Sequence, residues 1–253
     1  MSIQTEGIDP QDFVFVQEGD LPILLAAPHG GWLDIPGVPV RQAGTTVTDA
    51  KTFELTRGLA RGLDKLLGQP PYVVAAKFRR KYLDANRPES AAFEDSGARP
   101  FYHFYHGHMR QFIEELRTRY PGGALLVDIH GQSQDRETVH RGTRDGTTVA
   151  RLLERRGGPA IFGPNSIFGG LQARGYAVFP PITPPGNSPE DRRFNGKHTI
   201  MTYGSNSPRG VDAVQLEIGI RLREDENFPA ALVEAVGLFY KSYLAEPRIA
   251  ETD

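Results

Sequence analysis

The 253-residue chain predicts an α/β fold, with a mixed, largely parallel central sheet flanked by helices. Three observations carry this expectation. Short apolar runs alternate with longer segments whose apolar residues recur at helical spacing. Four of the runs are almost uninterrupted by polar residues, as strands buried on both faces must be. No Gly/Ser tract, Pro-rich tract or charge block divides the chain and no internal repeat is visible, so a single domain over residues 1–253 is expected.

Taken in order, the N-terminus MSIQTEGIDPQDF is acidic and lacks the basic start and apolar core of a signal peptide. Ile23 to Ala27 is the first central strand, closed by Pro28. Leu55, Leu59, Leu63 and Leu66 then line one helical face, with Thr48 as the expected N-cap and Gly68 as the stop. Tyr72 to Ala76 is the second strand. Met109, Phe112, Ile113, Leu116 and Tyr120 mark another helical face, and Ala124 to Ile129 the third strand. The segment from Pro180 to Gly196, with five prolines and mixed charge, reads as a long loop of the kind that often carries function. Ala213 to Ile218 is the fourth strand, and a last helix is expected from about Pro229 to Leu244.

Composition narrows the function. A net charge of −2 offers no general attraction to nucleic acid or to an anionic membrane, so neither is expected as a partner and any anion recognition must come from locally clustered arginines. No apolar run approaches the roughly 18–20 residues needed to cross a bilayer. With zero cysteines the chain has no thiolate ligand or nucleophile, and a cytoplasmic location is expected. A metal site must therefore use His, Asp and Glu.

Open α/β sheets bind ligands at the carboxyl ends of their strands. His29 follows the first strand in AAPHGG, and Arg79, Asp84, Asn86 and Arg87 follow the second in FRRKYLDANRP. His130 follows the third in LLVDIHG, and Glu217 lies in the fourth in AVQLEIGIR. VDIHGQSQD raises a choice between a nucleophilic serine and a metal ligand. A nucleophile elbow needs G-x-S-x-G, yet Gly131-Gln132-Ser133-Gln134 is followed by Asp135, so Ser133 reads as a turn or supporting residue. The metal reading asks for less: His29 and His130 at adjacent strand ends can offer two neutral imidazoles to one zinc ion, with a carboxylate as third ligand. Asp49, at the start of the helix that follows, is the first choice for that carboxylate and Asp34 the reserve. An acid in a helix's first turn can equally serve the helix dipole alone.

The ordered series PHGG, T-D before a helix, R-x4-D-x-N-R, D-I-H-G, N-G-K-H-T-I-M-T-Y-G and G-V-D-A-V-Q-L-E-I resembles the N-formylglutamate amidohydrolases. These belong to the wider zinc carboxypeptidase-like group that includes aspartoacylase. The likeness runs from about Pro28 to Arg221. It implies a zinc carboxypeptidase-like fold, one Zn2+ held by His29, Asp49 and His130, Glu217 as general base, and Arg79 polarising the scissile carbonyl. It further implies a clamp on a substrate carboxylate by Asn86 and Arg87, with His198 and Tyr203 as supporting hydrogen-bond donors. Two positions depart from the pattern. The amidohydrolases read P-H-S-G where this chain has Gly30, and the H-x-x-E of the carboxypeptidases meets Trp32, so the substrate and the choice between Asp49 and Asp34 stay open.

The residue types suit such chemistry on their own terms. A carboxylate beside a metal can take a proton from water and return it to a leaving amine, and a guanidinium can stabilise an oxyanion. Arg79 and Arg80 both qualify for that guanidinium, with Arg79 preferred. Asp84 and Asn86 can equally shape a turn before Pro88, and Asp128 reads as a supporting acid rather than a ligand. Glu217 is harder to dismiss, because a buried carboxylate in an apolar strand is costly. His103, His106 and His108, in the aromatic stretch FYHFYHGHM, read as a partly exposed helix entrance. The expected activity is hydrolysis of an N-acyl bond in a small, carboxylate-bearing amino acid derivative. A carboxypeptidase-like or ester-cleaving hydrolase is the runner-up, and a non-catalytic carboxylate-binding protein the alternative of another class.

Overall fold

A computed structural model describes residues 8–182 and 188–245. Seven strands form one sheet in the order β1-β3-β2-β4-β7-β5-β6: β1 Val14–Gln17, β2 Ile23–Ala27, β3 Tyr72–Ala76, β4 Leu125–Gln132, β5 Thr138–Gly142, β6 Ala177–Phe179 and β7 Asp212–Gly219. The β3-β2-β4-β7 centre and the β5-β6 pair are parallel, while β1 and β5 join antiparallel to β3 and β7. The sheet is therefore mixed and mostly parallel, as expected. All four central strands lie where the apolar runs are. β2 and β3 are buried along their whole length, which is why they carry no alternation.

The helices that bear on the site are α1 Thr52–Leu67, α2 Arg99–Arg119, α3 His198–Tyr203, α4 Ile220–Glu224 and α5 Phe228–Phe239. α1 buries Leu55, Leu59 and Leu63 as expected, whereas Leu66 is largely exposed. It stops at Gly68, whose φ of 77° is the left-handed conformation that glycine adopts without strain. Its start differs from the expectation. Thr48 is not the cap; Lys51 holds that place with φ 66°, and residues 48–51 form a turn ahead of the helix. α2 buries Met109, Phe112, Ile113 and Leu116 against one face of the sheet, and α1 and α5 pack together on the other. The last helix runs to Phe239 and continues as a π-turn to Leu244. Residues 1–7 of the N-terminus and 183–187 of the Pro180–Gly196 loop lie outside the described residues. No helix among the described residues is long and apolar enough to cross a membrane.

Candidate metal centre

The carboxyl ends of β2, β4 and β7 meet at a cavity of about 560 Å³. His29 stands two residues beyond β2. His130 lies inside β4, in register with Glu217 on the neighbouring β7, so parallel pairing alone sets these two residues side by side. Asp49 reaches in from the turn before α1. Its N–H donates to the His29 carbonyl at 3.0 Å, which fixes the turn against the end of β2. All these side chains, with Arg80 and Asn86, line the cavity.

Three donor atoms face one another there. His29 Nδ1 is 3.2 Å from His130 Nδ1, and Asp49 Oδ2 lies 3.4 and 3.3 Å from those two atoms. Ligands about 2.0–2.1 Å from a tetrahedral ion stand roughly 3.3–3.4 Å apart, so the triangle has the dimensions of one face of such a site. The other ring nitrogens are already committed. His29 Nε2 pairs with Asp84 Oδ1 at 2.7 Å, and His130 Nε2 with Asp128 Oδ2 at 3.0 Å. Asn86 Nδ2 also lies 3.1 Å from His130 Nε2, but the adjacent carboxylate of Asp128 decides that this nitrogen carries a proton. With both Nε2 atoms donating outward, each ring turns its Nδ1 inward, the atom that a metal would take once it is deprotonated. Asp128 belongs to this arrangement because it sits two residues before His130 and shares its face of β4.

The electrostatics of the group follow from burial among carboxylates. Burial opposes a charge on His130, yet Asp128 and Asp49 hold its pKa well above the ordinary value. Burial pushes Glu217 up to about 7, with His130 acting in the opposite sense and Asp49 adding to the rise. Glu217 Oε1 accepts from Gln215 Nε2 at 2.8 Å, and Gln215 in turn accepts from the Lys197 N–H. One carboxylate oxygen is thus held by Gln215 in a group whose pKa lies near neutrality.

Not every expected residue comes together here. Arg79 lies outside the cavity, 42% exposed and paired with Asp34 at 3.1 Å. The place beside the donors belongs to Arg80, whose Nε donates to Asp84 Oδ2 at 3.1 Å and whose Nη1 lies 3.5 Å from Asp49 Oδ1. Both arginines follow the Leu33–Phe78 bridge, and Arg80 rather than the expected Arg79 lines the cavity. Asp34 is likewise drawn away by Arg79 and Lys81, so Asp49 alone of the two acids meets the histidines. Asn86 is buried at the cavity wall, its Oδ1 accepting from the Thr199 N–H and hydroxyl. Arg87 is set back: its Nε donates to Asp84 Oδ2 at 3.1 Å, and its side chain is 40% exposed. Tyr203 gives its hydroxyl to His106 Nδ1 at 2.8 Å, and His198 lies beyond the cavity wall near that pair. His106 is buried, so α2 is not simply a partly exposed entrance; His103 is exposed and bound to Glu89. Gly30 has no room for the serine of the resembling family, because a Cβ would stand 2.4 Å from the Phe53 backbone nitrogen.

No family model and no curated protein sequence matches the chain. Among solved structures it is similar to an N-formylglutamate amidohydrolase from Ralstonia eutropha JMP134, at 17% identity and TM-score 0.59 over 92% of this chain and 98% of that one. The chain shares the fold of that amidohydrolase. A gene product of Agrobacterium tumefaciens is similar at 16% identity and TM-score 0.57, covering 92% of this chain and 94% of its own. Sequence reasoning assigned no site role to Arg80, Asp84, Gln215 and Thr199 beyond a rival arginine and a turn acid. Nothing in FRRKY separated Arg80 from Arg79, while Asp84 reaches His29 at a distant point of the chain and Gln215 reaches Glu217 two residues on along β7.

Proposed function

We propose that the protein is a zinc-dependent amidohydrolase that cleaves the N-acyl, formyl-type amide of a small amino acid derivative bearing a carboxylate. The observation that carries this reading is the convergence of His29 Nδ1, His130 Nδ1 and Asp49 Oδ2 within 3.2–3.4 Å, their outer nitrogens anchored on Asp84 and Asp128 and Glu217 alongside. His29, Asp49 and His130 would hold zinc there, and the ion would supply Lewis-acid chemistry toward a carbonyl and water. Glu217 accepts the proton of the attacking water and returns it to the departing amide nitrogen, a task suited to a carboxyl with a pKa near the working pH. Arg80, held by Asp84, takes the oxyanion-stabilising role that the sequence analysis gave to Arg79.

The carboxylate clamp remains with Arg87 and Asn86. Arg87 rests on Asp84 through Nε alone, and among the described residues its two terminal amino groups carry no hydrogen bond, so the outer edge of the fork is free for an anion. His198 and Tyr203 act further back, Tyr203 by fixing His106. The shared fold supports this class of reaction, and the site residues support the metal. The test is a panel of N-acyl amino acids, each as free acid and as amide, assayed with zinc-loaded protein. Turnover of the acids with strong discrimination against the amides is expected. Equal kcat/KM for acid and amide contradicts the clamp, and no turnover of any N-acyl amino acid contradicts the reaction.

A further inference from the structure

We propose that Arg223 is the positioning residue of the metal centre: one guanidinium ties together the three chain segments that carry Asp49, His130 and Glu217. The proposal rests on the reading of that centre given above. Arg223 sits in α4, directly after β7, and lines the cavity. Its Nε donates to the Ile218 carbonyl at 3.0 Å, its Nη2 to the Gln132 carbonyl at 3.1 Å, and its Nη1 to the Ala50 carbonyl. Ala50 follows Asp49, Ile218 follows Glu217, and Gln132 lies two residues beyond His130. The fork of a guanidinium is planar and rigid, so the three carbonyls it joins keep a fixed spacing. Packing confirms how closely the group is seated: a Cβ on Gly131 would stand 2.5 Å from Arg223 Cζ.

Two further observations argue for more than filling space. The hydrogen bonds of Arg223 go to neutral backbone carbonyls, and no carboxylate forms an ion pair with it among the described residues, although the side chain is half-buried. An unpaired cation in such a place is costly and persists where its geometry is needed. The turn that carries Asp49 also has few other ties. Asp49 N–H reaches the His29 carbonyl, Asp49 Oδ2 accepts from the Gly131 N–H of β4, and Lys51 holds the left-handed φ of 66° that a side chain resists. Arg223 adds the tie that joins the backbone of this turn to the ends of both β4 and β7.

Zinc affinity of the metal-free protein, measured by competition with a chromophoric chelator, tests the proposal on the parent, Arg223→Lys and Gly131→Ala. Lysine keeps the charge but cannot span three carbonyls. Its affinity should therefore fall on the order of 10- to 100-fold, the usual effect of losing an outer support of a metal site. Gly131→Ala keeps the arginine but displaces its guanidinium, and should fall in the same direction. Measurement well below the melting temperature of each metal-free variant separates this from a loss of stability alone. Free guanidinium should restore part of the affinity of Arg223→Gly, and methylammonium should not. Parent-like affinity in Arg223→Lys overturns the proposal; should that variant not fold, parent-like affinity in Gly131→Ala overturns it equally. A parent that binds no zinc overturns the metal centre itself, whereas a binding parent with unaffected variants overturns only the role of Arg223.

Discussion

Two clusters in this molecule bring a histidine and carboxylates within reach of one another, and they differ in what already fills the space between them. At the ends of β2 and β4, His29, His130 and Asp49 turn three lone-pair donors toward a common point. On the far side of β7, His140 of β5 meets Asp135 at 2.8 Å, with Asp191 nearby. There Arg193 lies between the acids, its Nε 3.0 Å from both oxygens of Asp191 and its Nη2 3.1 Å from Asp135. The second cluster is an ion-pair network with its cation built into the chain. The first has its outer nitrogens paired with Asp84 and Asp128 and, among the described residues, no cationic side chain between its inner donors. Proximity is common to both; where the compensating charge sits is what separates a metal centre from a salt-bridge network.

The sharpest break in that comparison is metal content. His29→Ala or His130→Ala should abolish stoichiometric zinc binding, while His140→Ala should leave about one zinc per chain, since a zinc site needs its three protein ligands. Elemental analysis of the three purified variants decides it, and zinc lost from His140→Ala would move the centre.

Rate comes next. Glu217 and His140 are opposite one another in the β7-β5 ladder, so they occupy matched positions with different duties. Glu217→Gln should retain zinc and lose roughly 10²- to 10⁴-fold in turnover, the usual worth of a positioned proton transfer. Steady-state kinetics on that variant and on His140→Ala should show the loss in the first alone; loss of zinc in Glu217→Gln would make it a ligand instead.

The supporting acids should show a smaller effect. Asp84→Asn and Asp128→Asn should each weaken zinc binding by about 10- to 100-fold, because the ring tautomer and orientation they impose are lost. Asp135→Asn should leave zinc affinity at the parental value by chelator competition.

The smallest effect concerns a third setting for histidine. His106 is buried with, among the described residues, only the Ala85 carbonyl and the Tyr203 hydroxyl as partners, and burial, aided by His198, pulls its pKa down to about 3. A histidine lowered in the folded state contributes stability that is present above about 6.5, the unfolded value, and is lost as pH falls toward 3. Over that window this residue should account for up to about 1.4 kcal/mol of lost stability per pH unit. His106→Gln should remove that share of the slope in urea unfolding measured at several pH values; an unchanged slope would mean that His106 titrates normally.

How much of this was legible depended on whether the signal was local. β2, β3, β4 and β7 stood out because strands buried on both faces leave an unbroken apolar run, and residues at their ends fell near the cavity for the same reason. β1, β5 and β6 did not, since edge strands as short as Val14–Gln17 and Ala177–Phe179, and an inner strand as polar as Thr138–Gly142, carry no such run. Asp49 was reached by an argument about the first turn of a helix, yet it works from a turn whose carboxylate points away from the helix amides toward His130 and Gly131. Arg79 was preferred over Arg80 because nothing in FRRKY tells which way the chain leaves Phe78. The pairings of Asp84 with His29 and of Arg223 with the carbonyls of Ala50 and Gln132 join residues more than 50 positions apart, and no local pattern announces them.

The central claim is that the first cluster is the zinc centre of an amide hydrolase. The most direct test is to titrate metal-free protein with zinc while following amine release from an N-formyl amino acid bearing a side-chain carboxylate, such as N-formylglutamate. The account predicts negligible release without zinc and a rate that climbs to a plateau at about one zinc per chain. Release that is indifferent to zinc, or none at full occupancy across the N-acyl amino acid panel, would contradict it.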